Sequence, residues 1–127
     1  MSERDPAEAV LVGECTAAFL LGQLWRTLGD ILGPATTATL LRRSIKYAVE
    51  QHPSLRGLEI TREAFEYRYE LPAAWSGPST EAVAALRGLV AELWRLLVPL
   101  TDGVVVRKLE QLPDFQRCGL IPPQEHK

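Results

Sequence analysis

The apolar residues in the first part of the chain recur at the spacing of an α-helix. Asp5 is a suitable N-cap, Pro6 suits the first turn, and the helical pattern then continues to Leu32. The pattern predicts one helix from Asp5 to Leu32 and a second from Ala35 to Gln51. Pro53 ends the second helix, because the residue before a proline is disfavoured in the helical conformation.

The hydrophobic period changes to two in the middle of the chain. From Phe65 to Leu71 apolar and charged residues alternate strictly, which predicts a β-strand with one apolar face. A partner strand is predicted over Leu58–Ile60, with a turn near Thr61 to Ala64. Because an isolated hairpin is marginal in water, its apolar face must be covered by this chain or by a second subunit. The sequence leaves both arrangements open.

Two more helices are predicted after the hairpin. One starts at Ser79 or Thr80 and ends at Pro99, and the next runs from about Asp102 to Leu112. The predicted fold class is therefore α+β and mainly helical, with about four helices in two helical hairpins and a β-hairpin inserted between them. Residues 1–120 are expected to form a single compact domain, and residues 121–127 a flexible C-terminal tail.

Two parts of the chain resemble each other. A Leu-Trp-Arg triplet centred on Trp25 is repeated at Trp94, and a Glu-Gln-x-Pro motif ending at Pro53 is repeated at Pro113. Each unit would then be a helical hairpin with a tryptophan on its first helix and a proline after its second. The similarity predicts a possible internal duplication, and chance similarity between common residue types is the alternative.

Composition and charge place the chain among ordinary globular proteins. It has 127 residues, of which 46% are hydrophobic and 24% charged, so disordered and collagen-like chains are excluded. A net charge of −2 argues against a general nucleic-acid binder, and no nucleic-acid partner is expected. The charges are nevertheless segregated along the chain: Arg26–Arg56 has five basic and two acidic residues, whereas Gly57–Glu81 has two basic and five acidic residues.

No membrane partner is expected, and the protein is expected to be cytoplasmic. The N-terminus has no basic region leading into an apolar stretch, and the apolar stretch Ala9–Trp25 contains Glu14 and is too short to span a membrane. The two cysteines, Cys15 and Cys118, lack the spacing of metal ligands or of a CxxC pair. Cys15 is expected to be a buried free thiol, and Cys118, near the C-terminus, is expected to be exposed.

Six aromatic residues are candidates for an interface or for a ligand pocket. They are Phe65, Tyr67 and Tyr69 on one strand face, Trp75 in a loop bounded by proline and glycine, and Trp25 and Trp94 on helices. Each also has a structural interpretation, because aromatic residues at period two commonly form the dry face of a hairpin that lies on helices. For Trp75 the structural alternative is closure of the core.

The candidate polar contacts are Arg42, Arg43 and Lys46, which form a small basic face on the second helix, and His52 at its end. His52 could be a ligand or an acid–base group, but a single histidine before a proline favours a helix-end role. The glutamates of the hairpin are interpreted as a solvated charge ladder. No catalytic residue, metal site or cofactor is assigned.

The sequence favours a non-catalytic protein-interaction or regulatory module that forms a homodimer, with a further protein partner possible. The wide apolar surface of the first helix and the two-faced strand motivate this prediction, because both features need a covering surface. The alternative is a small-molecule sensor domain with an apolar, aromatic-lined pocket. An enzyme centred on His52 is the least favoured hypothesis.

Overall fold

The structure of the protein is a computed structural model, and it describes residues 16–64, 66–77, 79–101 and 103–121. Within these ranges the elements are, in chain order, α1 (Ala17–Leu32), α2 (Pro34–Ala48), β1 (Glu59–Glu63), β2 (Glu66–Glu70), α3 (Thr80–Thr101), α4 (Val104–Glu110) and α5 (Pro113–Arg117). Two 3-10 helices, Pro53–Gly57 and Ala73–Ser76, flank the antiparallel hairpin. The mainly helical α+β class with a hairpin between α2 and α3 is thus confirmed.

Helix α1 begins later than the hydrophobic pattern predicts. Its N-cap is Thr16, which has an extended backbone (φ −70°, ψ 148°), and its side-chain oxygen accepts a hydrogen bond from the N–H of Phe19 at 3.2 Å. An extended residue cannot lie inside a helix, so the prediction of a helix that continues without interruption through Thr16 is wrong, while residues 5–15 of the predicted helix lie outside the described ranges. Threonine is a favourable N-cap because its side-chain oxygen accepts a hydrogen bond from a first-turn N–H. The apolar pattern does not show that this side-chain bond competes with continuation of the helix.

Glycines with positive φ stand at two of the connections between helices. Gly33 alone separates α1 from α2, with φ 90° and ψ 159°, a conformation that is essentially restricted to glycine. Its N–H donates to the Gly29 carbonyl at 2.9 Å, and Pro34 opens α2. Gly103 has φ 82° and caps α4. The predicted boundary at Gly33-Pro34 is confirmed, whereas α2 ends at Ala48, three residues before its predicted end.

Helix α3 has a regular amphipathic pattern. Its buried side chains recur three and four residues apart, at Ala82, Ala85, Leu86, Leu89, Val90, Leu93, Trp94 and Leu97. The prediction that Pro99 stops this helix is wrong, because Pro99 lies inside α3 and the helix continues to Thr101. The missing N–H of Pro99 deprives the Arg95 carbonyl, four residues earlier, of its helical donor, and the helix ends two residues after the proline.

The hairpin strands pair in an antiparallel register in which Glu59 lies opposite Glu70 and Glu63 opposite Glu66. Strand β2 confirms the predicted alternation, whereas β1 extends through Glu63 into residues that were predicted as a turn. The connection is therefore tighter than predicted. Ala64 accommodates it with a positive φ of 54°, as short hairpin loops require.

The C-terminal helix α5 was not predicted from the sequence. Gly119 follows this helix with a φ of 70°. The N–H of Leu120 donates a hydrogen bond to the Phe115 carbonyl at 3.0 Å, and the N–H of Gly119 donates one to the Gln116 carbonyl at 3.3 Å. These two bonds form a Schellman motif, which buries Phe115 and Leu120 together. Ile121, assigned to the tail, packs against the core; residues 122–127 lie outside the described ranges.

The hydrophobic core lies between the helices. Helix α2 packs most extensively against α3, while α1 contacts α2, α3 and α4. The largest fully buried side chains are Trp75, Phe115 and a set of leucines from α1, α2, α3 and the 3-10 helix Pro53–Gly57. Since burying one such side chain is worth roughly 1.5–3 kcal/mol, apolar burial sets the arrangement on which the surface charges are displayed.

Candidate interaction surface

The register of the hairpin sorts its side chains onto two faces of opposite character. Because alternate residues of a strand point to opposite sides, Ile60, Tyr67 and Tyr69 share one face with Arg62. We call these four residues the inner face of the hairpin. The other face carries Glu59, Glu63, Glu66, Glu70, Thr61 and Arg68, all of them exposed. This second set is the acidic face, and its formal charge is −3.

The inner face of the hairpin lies against the helices of its own chain. Tyr69 makes an edge-to-face contact with Trp25 of α1, with ring centroids 5.0 Å apart and an interplanar angle of 63°. Its hydroxyl lies so close to Gly22 that a Cβ at that position would be 3.5 Å away. Tyr67 is half-buried against the core, and the Arg62 guanidinium lies 5.6 Å from the centre of its ring. The hairpin is therefore covered within the chain.

Three of the six aromatic candidates, Trp25, Tyr67 and Tyr69, thus share the packing of the hairpin on the helices. Trp94 is buried on α3, and its indole N–H has no hydrogen-bond partner within the described ranges. Phe65 lies outside those ranges. Whether Tyr67 or Tyr69 also contacts a partner remains a prediction.

Arg42 ties α2 to the hairpin. Its guanidinium donates a hydrogen bond to the Ile60 carbonyl of β1 at 3.1 Å. A side chain from the helix thereby bonds to a backbone acceptor of β1, a strand that pairs with β2 alone among the described residues. Arg42, predicted as a candidate polar contact, is used within the chain.

Arg43 and Lys46, the other two basic candidates, lie on the outer side of α2. Thr39, Arg43, Lys46 and Tyr47 are exposed, and their spacing of three and four residues places them on one side of the helix. This set is the basic face of α2. Tyr47 is 49% exposed, which is unusual for a large aromatic side chain. Within the described part of the chain, no ion pair joins Arg43 or Lys46 to a carboxylate.

The acidic face of the hairpin is only partly neutralised. Arg68 lies 3.5 Å from Glu63 and 3.6 Å from Glu66, measured between guanidinium nitrogen and carboxylate oxygen. Glu59 and Glu70 lie opposite each other, and neither forms an ion pair with another described residue. Like charges directly opposite each other are unfavourable in an antiparallel pair. The predicted charge ladder is present, with an unneutralised pair of glutamates at its open end.

Trp75 closes the core and also lines a small pocket. Its side chain is 1% exposed, and the other lining residues are Ser54, Pro72, Ser79, Glu81 and Ala82. The pocket holds about 50 Å³, whereas sites for drug-sized ligands enclose roughly 300–1,000 Å³. The Trp75 indole N–H has no hydrogen-bond partner in the described structure. Of the six aromatic candidates, Trp75 is the one that lines this pocket.

His52 packs against the middle of α3. A Cβ placed on Gly88 would lie only 2.4 Å from Cδ2 and 2.6 Å from Nε2 of the imidazole, so the ring fits where a side chain is missing. His52 also precedes the 3-10 helix, whose Leu55 N–H donates to the His52 carbonyl at 2.9 Å. The prediction placed His52 at a helix end but missed Gly88; a glycine inside an amphipathic helix was the available signal.

A polar link between α1 and α5 was also missed. The Gln23 side-chain amide donates to Asp114 Oδ2 at 2.8 Å, and Asp114 Oδ1 accepts from Arg117. The carbonyl oxygen of Gln23 is buried without a partner in the described structure. Sequence patterns give no signal for a pair that is 91 residues apart.

The prediction that Cys118 is exposed is wrong. Cys118 is 4% exposed and disulfide-bonded. Cys15, the only other cysteine of the chain, lies outside the described ranges. The bond was missed because the two cysteines of the sequence have no diagnostic spacing.

Comparisons with protein-family profiles, with curated proteins and with solved structures found no match to this chain. None of the helices in the described ranges combines the length and apolar character needed to cross a membrane. No cluster of three histidine, cysteine or acidic side chains suited to a metal ion occurs among residues 16–64, 66–77, 79–101 and 103–121.

Proposed function

We propose that this protein is a non-catalytic protein-interaction module that associates with itself. The observation that carries the proposal is the exposure of three apolar side chains near the turn between α3 and α4, which we call the apolar corner. Leu100 is 60% exposed, and Val98 and Val104 are each 46% exposed, around the turn at Gly103. Exposed apolar patches on small proteins commonly mark protein contacts.

Sedimentation equilibrium tests the proposal directly. The expected result is a mass near twice the chain mass of 14.1 kDa at about 1–100 μM protein, the concentrations at which moderate specific complexes form. Leu100→Ser should weaken the association, since it removes the most exposed apolar side chain of the corner. Ile31→Ser is the matched control, because Ile31 is an exposed apolar residue outside the corner. A mass of one chain throughout the concentration range would contradict the proposal.

A small-molecule sensor is the second candidate function. It is supported by the pocket beside Trp75, whose buried indole N–H could donate to an acceptor atom of a ligand. Native mass spectrometry of protein purified gently from its source cells separates the candidates. A retained small-molecule mass would support a sensor, whereas a bare dimer would support the interaction module.

An internal duplication remains part of the proposed architecture. In both halves a tryptophan-bearing helix is followed by a second helix and then by a short helix that opens with a proline, Pro53 or Pro113. The second helix is 15 residues long in the first half and 7 in the second. A solved structure in which the two halves superpose over their helices would support the duplication.

The cytoplasmic location expected from the sequence remains a prediction, and the disulfide at Cys118 weighs against it. Structural disulfides persist in oxidising compartments and are rare in the reducing cytosol. Alkylation of thiols in intact source cells, followed by mass spectrometry of the Cys118 peptide, tests the location. A fully alkylated Cys118 would favour the cytoplasm, and a protected one an oxidising compartment.

A further inference from the structure

The two charged surfaces of the molecule are of opposite sign, and each is exposed. The basic face of α2 presents Arg43 and Lys46 beside the exposed ring of Tyr47. The acidic face of the hairpin presents four glutamates and one arginine. Helix α2 itself contains three basic residues and no acidic residue.

These two faces do not neutralise each other within one chain. The inner face of the hairpin is the side that lies on the helices, and the acidic face is on the opposite side of the same two strands. Arg42, the α2 residue that does reach the hairpin, bonds to a backbone carbonyl and not to a glutamate. Among the described residues, Arg43, Lys46, Glu59 and Glu70 have no ion-pair partner.

We infer that the basic face of α2 binds the acidic face of the hairpin of a second copy of this chain. The inference rests on the proposed self-association and assigns it a second contact, in addition to the apolar corner at Val98, Leu100 and Val104. In a two-fold dimer each contact is made twice, because α2 of each protomer meets the hairpin of the other. Each basic face then meets an acidic face, and two faces of the same charge do not meet. Tyr47 adds an aromatic contact of the kind that is enriched at interfaces.

A second copy fits these faces better than a nucleic acid does. A polyanion would match Arg43 and Lys46 but would be repelled by the acidic face of the same molecule. The chain as a whole has a net charge of −2, so long-range attraction to a polyanion is absent. Another copy supplies both the acidic partner for α2 and the basic partner for the hairpin.

Charge reversal with mixing tests the pairing. The first variant carries Arg43→Glu and Lys46→Glu, and the second carries Glu59→Lys and Glu70→Lys. The second keeps a like-charge pair across the strands, so the hairpin itself is affected little. Each variant alone should sediment as a monomer at concentrations where the wild type is dimeric. An equimolar mixture should recover the dimer, because each altered face now meets a face of opposite sign.

Controls separate this pairing from a loss of folding and from the proposed function. A variant with Arg26→Glu and Arg95→Glu changes the charge equally on exposed positions of α1 and α3 and should dimerise like the wild type. Circular dichroism and thermal melts should show every variant folded. Raising NaCl from 0.1 to 1 M shortens the Debye length from ~10 to ~3 Å and should weaken the dimer at least about tenfold.

Each of the remaining outcomes contradicts one part of the inference. If the wild type is monomeric, self-association itself fails. If the wild type dimerises but the reversed variants do so equally well, or their mixture does not associate, only the α2–hairpin pairing fails. If a single-stranded oligonucleotide binds the wild type through Arg43 and Lys46 and breaks the dimer, α2 is a nucleic-acid surface and the pairing is wrong.

Discussion

Two segments that begin with a proline start alike and end differently. The Pro53 segment is residues 53–58, and the Pro113 segment is residues 113–120. In each, the N–H two residues after the proline donates to the carbonyl just before it, from Leu55 to His52 at 2.9 Å and from Phe115 to Leu112 at 3.1 Å. Leu55 and Phe115 are both fully buried. A proline with a fixed φ therefore produces the same first turn in both places.

The ends of the two segments are decided by different neighbours. Gly57 has no positive φ, and its lack of a side chain makes room for Pro72, whose Cγ would be 2.8 Å from a Cβ. Gly119 has φ 70° and closes a Schellman motif. Arg87 of α3 donates from Nε to the Gly119 carbonyl at 3.1 Å. One glycine is thus required by packing and the other by backbone conformation.

The largest expected effects are on the buried anchors of the two segments. Phe115→Ala should lower the free energy of unfolding by about 3–5 kcal/mol and Leu55→Ala by about 2–5 kcal/mol, because each leaves a cavity in the core. Urea unfolding followed by circular dichroism measures both. Arg56→Ala, an exposed position of the Pro53 segment, is the control and should change stability by less than about 0.5 kcal/mol. An effect of that small size for Phe115→Ala would mean that the Pro113 segment is not anchored in the core.

The next effect should be confined to the Pro113 segment, because it alone contains a cysteine. Cys118→Ser should lower the free energy of unfolding by about 2–4 kcal/mol under non-reducing conditions. In the presence of a reductant the variant and the wild type should unfold at nearly the same urea concentration. Hydrogen exchange should show faster exchange in α5 and unchanged exchange in the Pro53 segment. A wild type insensitive to reductant would contradict the disulfide.

Replacing either glycine by alanine should lower the free energy of unfolding by a similar amount, but for a different reason at each site. Gly57→Ala should cost about 1–3 kcal/mol through overpacking against Pro72, and Gly119→Ala about 1–2 kcal/mol through its left-handed backbone. Pro72→Ala should therefore rescue Gly57→Ala in a double-mutant cycle and leave Gly119→Ala unchanged. Gly119→Asn should be milder than Gly119→Ala, because asparagine tolerates this conformation. Equal rescue at both sites would show that the glycines do not differ as described.

The smallest expected effect is at Arg87, which reaches the end of the Pro113 segment only. Arg87→Gln should lower stability by about 0.5–1 kcal/mol, because the hydrogen bonds to the Cys118 and Gly119 carbonyls are partly exposed to solvent. Arg95→Gln on the same helix is the matched control, since its ion pair with Glu92 is exposed. Thermal unfolding compares the two. A larger loss for Arg95→Gln would contradict the capping role of Arg87.

Several elements could be predicted because their signals are local. The alternation that starts at Phe65 predicted β2, and the Gly33-Pro34 pair predicted the end of α1. The sequence also predicted the helix that became α3, whose buried residues Leu86, Val90 and Leu93 recur at helical spacing. Local signals failed at Thr16, because its side chain caps a helix that the apolar pattern predicts to continue. They also failed at α5, because this helix is only five residues long.

The surface could be predicted only in part. The sequence placed Arg42, Arg43 and Lys46 together on α2, but not the bond that engages Arg42 with Ile60 and leaves the other two exposed. The alternating strand predicted an acidic face, whereas the side on which the hairpin packs depended on where Trp25 and Gly22 lie.

Sequence alone accounts for the helical and strand periods, the boundary at Gly33-Pro34, and the segregation of charge into a basic and an acidic part. These are properties of neighbouring residues, and backbone sterics and side-chain spacing fix them locally. Three further features depend on the packing of the whole chain: the hairpin is covered by its own helices, His52 lies on Gly88, and Cys118 forms a disulfide. Each of these joins residues that are far apart along the chain, and apolar burial over the whole fold brings them together.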